Sequence, residues 1–278
     1  MKSIIILYHS DCPDGFGGAW SAWKKFGNDA SYIPAKHRES PSSKLKGKEI
    51  YLLDFTYFGK DLKTLAAKNK KVVIIDHHIT AKTELKNVHE SFFDLKRSGA
   101  GLAWRYFHKN KKIPALINYV EDQDLWLFKM PQARAVMSAI NLKPQNFEVW
   151  NVIARELEMK NGWQKYAEKG ETIIEYENKT IAELIKKIEP ATFHGHRAGV
   201  INSPILQSEI GHAIYSSGFL IAIVWSRQSG QIKVSLRSKK INVAKLAEKY
   251  GGGGHRAAAG FKLAGDKKMP WRYTKRNG

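Results

Sequence analysis

Residues 71–78 read KVVIIDHH: a lysine, four β-branched apolar residues, then an acid and two histidines. The apolar run is short and β-branched, which fits a strand buried on both faces, and the abrupt change to ligand-type side chains marks its carboxyl end. Two upstream runs have the same form. SIIILY at 3–8 is followed by His9, Ser10, Asp11, Cys12, Pro13, Asp14 and Gly15, and EIYLLDF at 49–55 contains Asp54. Helix-compatible stretches between the runs imply βαβ units around a mostly parallel sheet. Sheets of that kind carry their sites at the carboxyl edge of the strands, so the three clusters are predicted to converge in one crevice.

Working outward, the pattern from Ser98 to Glu158 turns helical, with AGLAWRYF, ALINYVEDQDLWLF and FEVWNVIARELE carrying apolar residues at three- and four-residue spacing. The segment 163–189 alternates charge with Ile, Leu and Tyr at helical period and stops before Pro190, as a connecting helix would. Beyond it, 198–202, 219–226 and 232–237 read as strands, the last two joined by a QSG turn, and 243–250 as a helix. The expected fold class is α/β in two domains. A catalytic domain occupies 1–160, a linker helix 161–190, a smaller α/β substrate domain 191–265 and a basic tail 266–278.

The chain has 278 residues, 43% of them hydrophobic and 11% aromatic, enough for a real core. Disorder, collagen-like repeats and disulfide-stapled miniature folds are excluded as overall descriptions. Cys12 is the single cysteine and cannot form an intramolecular disulfide. The opening MKSIIILYHSD lacks the form of a signal peptide and no apolar stretch approaches the roughly 20 residues of a membrane span, so a cytoplasmic, membrane-free protein is expected. The formal charge of +20 fits either a solvated lysine surface or attraction to a polyanion such as nucleic acid.

A single histidine or aspartate after a strand is normally a cap or turn former. Three consecutive strands ending this way are different, because without a cation they would crowd mutually repelling carboxylates into one cleft. Mixed carboxylate and imidazole donors suit Mn²⁺, Mg²⁺ or Zn²⁺, and a carboxylate shared by two ions matches two-metal phosphoester hydrolysis.

These residues carry a resemblance. Asp76-His77-His78 after a buried strand, with His9 to Gly15 upstream, resembles the DHH phosphoesterase superfamily. Gly251-Gly252-Gly253-Gly254-His255-Arg256 resembles the glycine-rich signature of its DHH-associated carboxy-terminal domain. Asp54, Ser98-Gly99-Ala100 and the Glu121-Asp122-Gln123-Asp124-Leu125-Trp126 stretch match further motifs in order. The resemblance implies a metal-dependent phosphoesterase with two divalent cations, Mn²⁺ with Mg²⁺ as the alternative, and a hydroxide bridged between them as nucleophile. His9 and an acid of the first motif, Asp11, would hold one ion, and Asp14, His77 and Asp122 the other, with Asp54 between them. Asp76, His77 and His78 would be the catalytic triplet, Asp76 orienting the histidines and His78 facing the phosphate. Arg237, Gly253, Gly254, His255 and Arg256 would bind substrate, the glycines forming an anion cradle that leads into a helix.

The first motif departs from the common Asp-x-Asp-Gly pattern, since Cys12 stands where an aspartate is usual. Asp11 turning inward, Cys12 ligating as a thiolate, or a site short of one protein ligand all remain open, as does Asp124 in place of Asp122. The short chain favours oligonucleotides or small phosphorylated nucleotides as substrate. Polyphosphate or cyclic dinucleotides are alternatives, as is a basic nucleic-acid-binding protein with reduced catalysis. Trp20, Trp23, Trp104 and Trp150 sit at helical spacing and read as core, and His194, His196 and His212 as structural or exposed. Trp271 and Tyr273, among Lys267, Lys268, Arg272, Lys275 and Arg276, either stack on bases or belong to a loose tail.

Overall fold

The computed structural model describes residues 2–36 and 39–274, and the chain separates into two compact units, 1–174 and 175–278. Lys275 and Arg276 lie outside the described residues.

The first unit runs β1 (Ile4–His9), α1 (Pro13–Phe26), β2 (Ala30–Ala35), β3 (Glu49–Leu53), α2 (Gly59–Lys68), β4 (Lys71–Asp76) and β5 (Glu90–Phe93). Four helices follow, α3 (Gly99–Phe107), α4 (Ala115–Asp124), α5 (Ala133–Asn141) and α6 (Phe147–Leu157); α7 (Gln164–Ile185) then runs across the boundary between the units. The five strands form one parallel sheet in the order β2-β1-β3-β4-β5, so the chain reverses direction across the sheet at β1/β3. Alternation along the central strands feeds two cores. Ile5, Leu7, Ile50, Leu52, Val72 and Ile74 pack with Leu62 and Leu65 of α2. Ile6, Tyr51, Leu53, Val73 and Ile75 pack with Ala22 of α1 and Leu102 and Ala103 of α3. Trp20, Trp104 and Trp150 are buried in the helical core, as their spacing predicts.

Two strands lack the signature that marks β1, β3 and β4. β2 contains Pro34 and β5 is only half-buried, and both occupy sheet edges, where a missing N–H and an exposed face are tolerated.

The second unit holds β6 (Glu189–Phe193), β7 (His196–Asn202), α8 (Gln207–Ser216), β8 (Ile221–Gln228), β9 (Gln231–Arg237), α9 (Val243–Glu248), β10 (Gly253–Gly254), β11 (Ala258–Ala264) and β12 (Arg272–Tyr273). They form a seven-stranded sheet, β10-β11-β9-β8-β7-β6-β12, in which only β7 and β8 pair in parallel. Ile210 and Ile214 of α8 pack on one face and Val243, Ala244 and Ala247 of α9 on the other.

Two expectations are corrected here. The glycine run does not lead into a helix: Gly253 and Gly254 pair with Gly260 and Ala259 in a hairpin, and the Ala257-Ala258-Ala259 run enters strand β11. The segment after 265 is not all tail, because Trp271 is 4% exposed within the core and Arg272 and Tyr273 pair with β6. Burial of that indole anchors the edge strand and removes Trp271 as a stacking platform, whereas Tyr273 stays exposed. No helix among the described residues is long and apolar enough to cross a membrane.

Candidate metal centre

Register builds the centre. Tyr8 lies opposite Leu53 and Leu53 opposite Ile75, so the next residues, His9, Asp54 and Asp76, stand in one row across the carboxyl ends of β1, β3 and β4. Asp54 leaves its strand at φ 60°, a conformation uncommon for a non-glycine residue, and its amide donates to the Ile75 carbonyl at 2.9 Å. That turn keeps its carboxylate in the row, 1% exposed.

Asp54 is the hub. His9 Nδ1 lies 3.4 Å from its Oδ2, His77 Nε2 3.2 Å from Oδ1 and His78 Nδ1 3.8 Å from Oδ1. His77 Nε2 also lies 3.5 Å from Asp14 Oδ2 and 3.6 Å from Asp124 Oδ2. Asp76 holds the tripeptide from behind, its Oδ1 accepting from the His77 and His78 amides at 2.7 and 3.0 Å and contacting His78 Nδ1 at 2.8 Å.

Among the described residues of this unit, three donor sets lie close enough to hold an ion: His9, Cys12 and Asp54; Asp14, His77 and Asp124; and Asp54, Asp76 and His78, each with its ligand atoms within 4.8 Å of one another. Asp54 Oδ1 is buried and accepts no well-aligned hydrogen bond, the condition of an oxygen waiting for a cation. Carboxylates and imidazoles fit hard or borderline divalent cations, and the Cys12 sulfur in the first set adds a softer donor of the kind that suits Zn²⁺.

Helix termini and glycines hold the donors at these distances. Cys12 caps α1, its Sγ accepting from the Gly15 amide at 3.2 Å and donating to Asp54 Oδ2 at 3.3 Å. The amides of Gly99 and Ala100, at the start of α3, donate to Asp14 Oδ2 and Oδ1 at 2.6 and 2.9 Å. Glu121 fixes that helix start in turn: it accepts from the Ser98 amide at 3.1 Å and pairs with Arg97 and Arg105.

Two expected ligands lie elsewhere. Asp11 turns outward at φ 60°, its side chain 80% exposed and 3.5 Å from Lys36, so the cysteine beside it enters the donor set. Asp122 is committed to backbone: its two oxygens accept from the Lys129 and Met130 amides at 2.9 and 3.0 Å, closing a loop in which Trp126 and Phe128 take φ of 57° and 50°. Asp124, two residues on, meets His77 instead. Both acids lie on one helix, and only the course of the following loop separates their roles.

In the second unit Arg237 pairs in register with Ala258, beside the glycine hairpin, and its guanidinium donates to Ser208 Oγ at 2.8 Å and to the Leu236 carbonyl at 2.9 Å. A Cβ at Gly252 would stand 2.1 Å from the Gly260 carbonyl oxygen, and Gly254 has φ 134°, so close backbone approach demands both glycines. His255 is half-buried in the hairpin turn and Arg256 is exposed.

Residues 203–270 match the model of the DHHA1 domain. Over 98% of this chain and 83% of the other, the structure aligns with the DHH domain of a protein assigned to a family of ribosomal proteins, at TM-score 0.53 and 13% identity. The fold of this chain resembles that of the DHH domain. An uncharacterized protein, R106, of Acanthamoeba polyphaga mimivirus is 28% identical over 290 residues, spanning 95% of this chain and 68% of that protein. The exonuclease RecJ bound to manganese aligns over 94% of this chain and 85% of its own at TM-score 0.48 and 15% identity.

The electrostatics of the centre follow from crowding. Burial and the charges of Asp124 and Asp54 push the Asp14 carboxyl well above its ordinary value, and burial pushes Asp124 up to about 6. Burial opposes charging of His77, yet Asp54, Asp14 and Asp124 hold its pKa up at about 10. Asp54 runs the other way: burial raises it, but the imidazoles of His77, His9 and His78 outweigh burial and keep it well below 3.8. A raised folded-state pKa means stability present at low pH and lost as pH climbs through that value. Asp124 and His77 therefore make the metal-free protein progressively less stable from about pH 4 to pH 10, whereas the Asp54 window lies wholly below this range. A divalent cation replaces the retained protons. The rise in melting temperature on adding Mn²⁺ is thus expected to grow between pH 5.5 and pH 8, as read by thermal denaturation; a shift independent of pH would show that these groups do not bind the ion.

Proposed function

We propose that this protein is a metal-dependent phosphoesterase acting on short single-stranded oligonucleotides or small phosphorylated nucleotides. The observation that carries the reading is the gathering of His9, Asp14, Asp54, His77 and Asp124 around buried carboxylate oxygens at one sheet edge. His9, Cys12 and Asp54 would hold one divalent cation and Asp14, His77 and Asp124 a second, Mn²⁺ or Mg²⁺, with Asp54 Oδ1 3.2 Å from His77 Nε2 of the second set. When bound, such cations polarise a phosphoryl oxygen and acidify an attacking water. His78, steadied by Asp76 and with 18% of its side chain exposed, is the group on this chain that would contact the substrate phosphate and donate a proton to it. His255, Arg256, Arg237 and the Gly253-Gly254 backbone of the DHHA1 domain would supply further anion contacts, charge-assisted where arginine is the donor.

Purified protein with Mn²⁺ is expected to hydrolyse phosphorylated di- to decanucleotides in preference to polyphosphate, and to stop when a chelator is added. Asp124→Asn is expected to lose activity and one equivalent of bound Mn²⁺ by calorimetry, whereas Asp122→Asn keeps both ions. Hydrolysis undiminished in chelator would end the metal-dependent reading.

A further inference from the structure

Two donor sets of the first unit differ in chemistry. Asp14, His77 and Asp124 offer two carboxylates and an imidazole, whereas His9, Cys12 and Asp54 include a sulfur. The turn between β1 and α1 brings that sulfur in. Asp11 takes φ 60° and sends its carboxylate outward, 80% exposed beside Lys36, and it is the thiol of the next residue that enters the donor set. A Cβ at Gly15 would collide with the His9 carbonyl oxygen and stand 2.8 Å from the His9 Cβ, so this glycine lets the first turn of α1 close against the end of β1. Cys12 Sγ and His9 Nδ1 then lie 3.3 and 3.4 Å from one oxygen, Asp54 Oδ2, on a side chain only 2% exposed. Capping does not account for the cysteine. Serine, threonine, aspartate and asparagine are the favoured residues at a helix start, and each could accept from the Gly15 amide as Cys12 does.

We infer, on the two-ion phosphoesterase reading, that His9, Cys12 and Asp54 form a thiophilic site that takes Zn²⁺ in preference to Mn²⁺, while Asp14, His77 and Asp124 keep a harder ion. The loaded centre would then hold two different metals. Thiolate selects zinc among the common divalent ions, and carboxylate-rich sets suit Mn²⁺ and Mg²⁺. Zinc bonds of about 2.3 Å to sulfur and about 2.0–2.1 Å to nitrogen and oxygen set tetrahedral ligands about 3.3–3.6 Å apart. The separations of Cys12 and His9 from Asp54 already have that size, so the set closes on the ion with little rearrangement. Geometry admits zinc, and the sulfur selects it. Three protein donors leave a fourth position open, the arrangement of catalytic rather than structural zinc. The Cys12 thiol donates to Asp54 Oδ2; on binding, its proton leaves to water and the ion takes its place between the same two atoms.

Cobalt is the probe, because Co²⁺ bound to a thiolate has a sulfur-to-metal charge-transfer band in the near ultraviolet. The full chain with up to two equivalents of Co²⁺ is expected to show that band, and one equivalent of Zn²⁺ to abolish it. Protein carrying two equivalents of Mn²⁺ is expected to release one when a single equivalent of Zn²⁺ is added, as read by the electron paramagnetic resonance of free Mn²⁺. Cys12→Ser keeps the cap and an oxygen, and Cys12→Asp supplies a carboxylate. Both are expected to lose the band and to lower the preference for Zn²⁺ over Mn²⁺ by at least the roughly 10- to 100-fold that disturbing a ligand's supports costs. Absence of the band in the native protein, a reading that needs no variant to fold, would overturn the assignment. So would an equal preference for Zn²⁺ in the native and Cys12→Asp proteins. Two bound ions with neither band nor preference would remove the zinc site and leave the phosphoesterase reading standing; the band without hydrolysis of any nucleotide would do the reverse.

Discussion

Asp54→Asn is expected to lower kcat by about 10³-fold or more and to reduce tightly bound Mn²⁺ from two equivalents to one or none. The carboxylate stands within 3.4 Å of His9, 3.2 Å of His77 and 3.3 Å of Cys12 Sγ, so both donor sets lean on it. Asparagine preserves its shape and tolerates the left-handed backbone at this position, with φ 60°, so the variant should fold. What it loses is the negative charge between two cations, and it gains an N–H₂ donor facing imidazoles. Steady-state kinetics and calorimetry on the same preparation read both quantities. Two undiminished Mn²⁺ sites in the variant would remove Asp54 from the centre.

Gly99→Ala is expected to weaken Mn²⁺ binding about 10- to 100-fold, the size of effect that follows when the supports of metal ligands are disturbed. A Cβ at this position would stand 2.6 Å from the Asp54 Cβ and 2.9 Å from Asp14 Oδ2. Those atoms belong to two carboxylates of the candidate centre on short, tethered side chains, so relief requires either α3 to withdraw or the carboxylates to part. The first breaks the amide bonds to Asp14 and the second widens the centre. Overpacking of this kind also destabilises by about 1–3 kcal/mol, measurable by urea denaturation. Gly195→Ala makes the contrast. It meets nothing within 4 Å, so only its φ of 77° is penalised, by about 1–2 kcal/mol, and Mn²⁺ affinity should be unchanged. Equal metal affinity in the two variants would detach Gly99 from the centre.

Whatever rests on burial by both faces of a sheet is legible in the sequence. The runs before His9, around Asp54 and before Asp76 form β1, β3 and β4, and their side-by-side pairing follows from the rules of parallel sheets. The edge strands are hidden because half-buried residues and a proline carry no such signal. Within the site, His9, Asp14, Asp54 and His77 come together as their motifs imply, since each is tied to a strand end or to a helix start. Asp11 and Asp122 do not, for a local reason. A single left-handed residue sends Asp11 to solvent, and two loop amides downstream claim Asp122. Neither event leaves a mark in residue type or spacing. The glycine run reads as a cradle ahead of a helix, yet the alanines after it enter a strand, because propensity for helix yields to a ladder already offered by β9.

The donors of the first unit are drawn from positions 9 to 124, from the ends of β1, β3 and β4 and from α1 and α4. That spread has a meaning in time as well as in space. Contacts of such sequence separation form slowly, because long loops must close before the contacts can reward it. A chain emerging from a ribosome has Asp14, Asp54 and His77 in hand well before it has Asp124, so the centre cannot be completed until α4 has been synthesised and has docked. Capture of a divalent cation by both donor sets would therefore report that the first unit has folded at least as far as α4, and a refolding experiment that follows Mn²⁺ uptake would see the ion arrive only after α4 has docked.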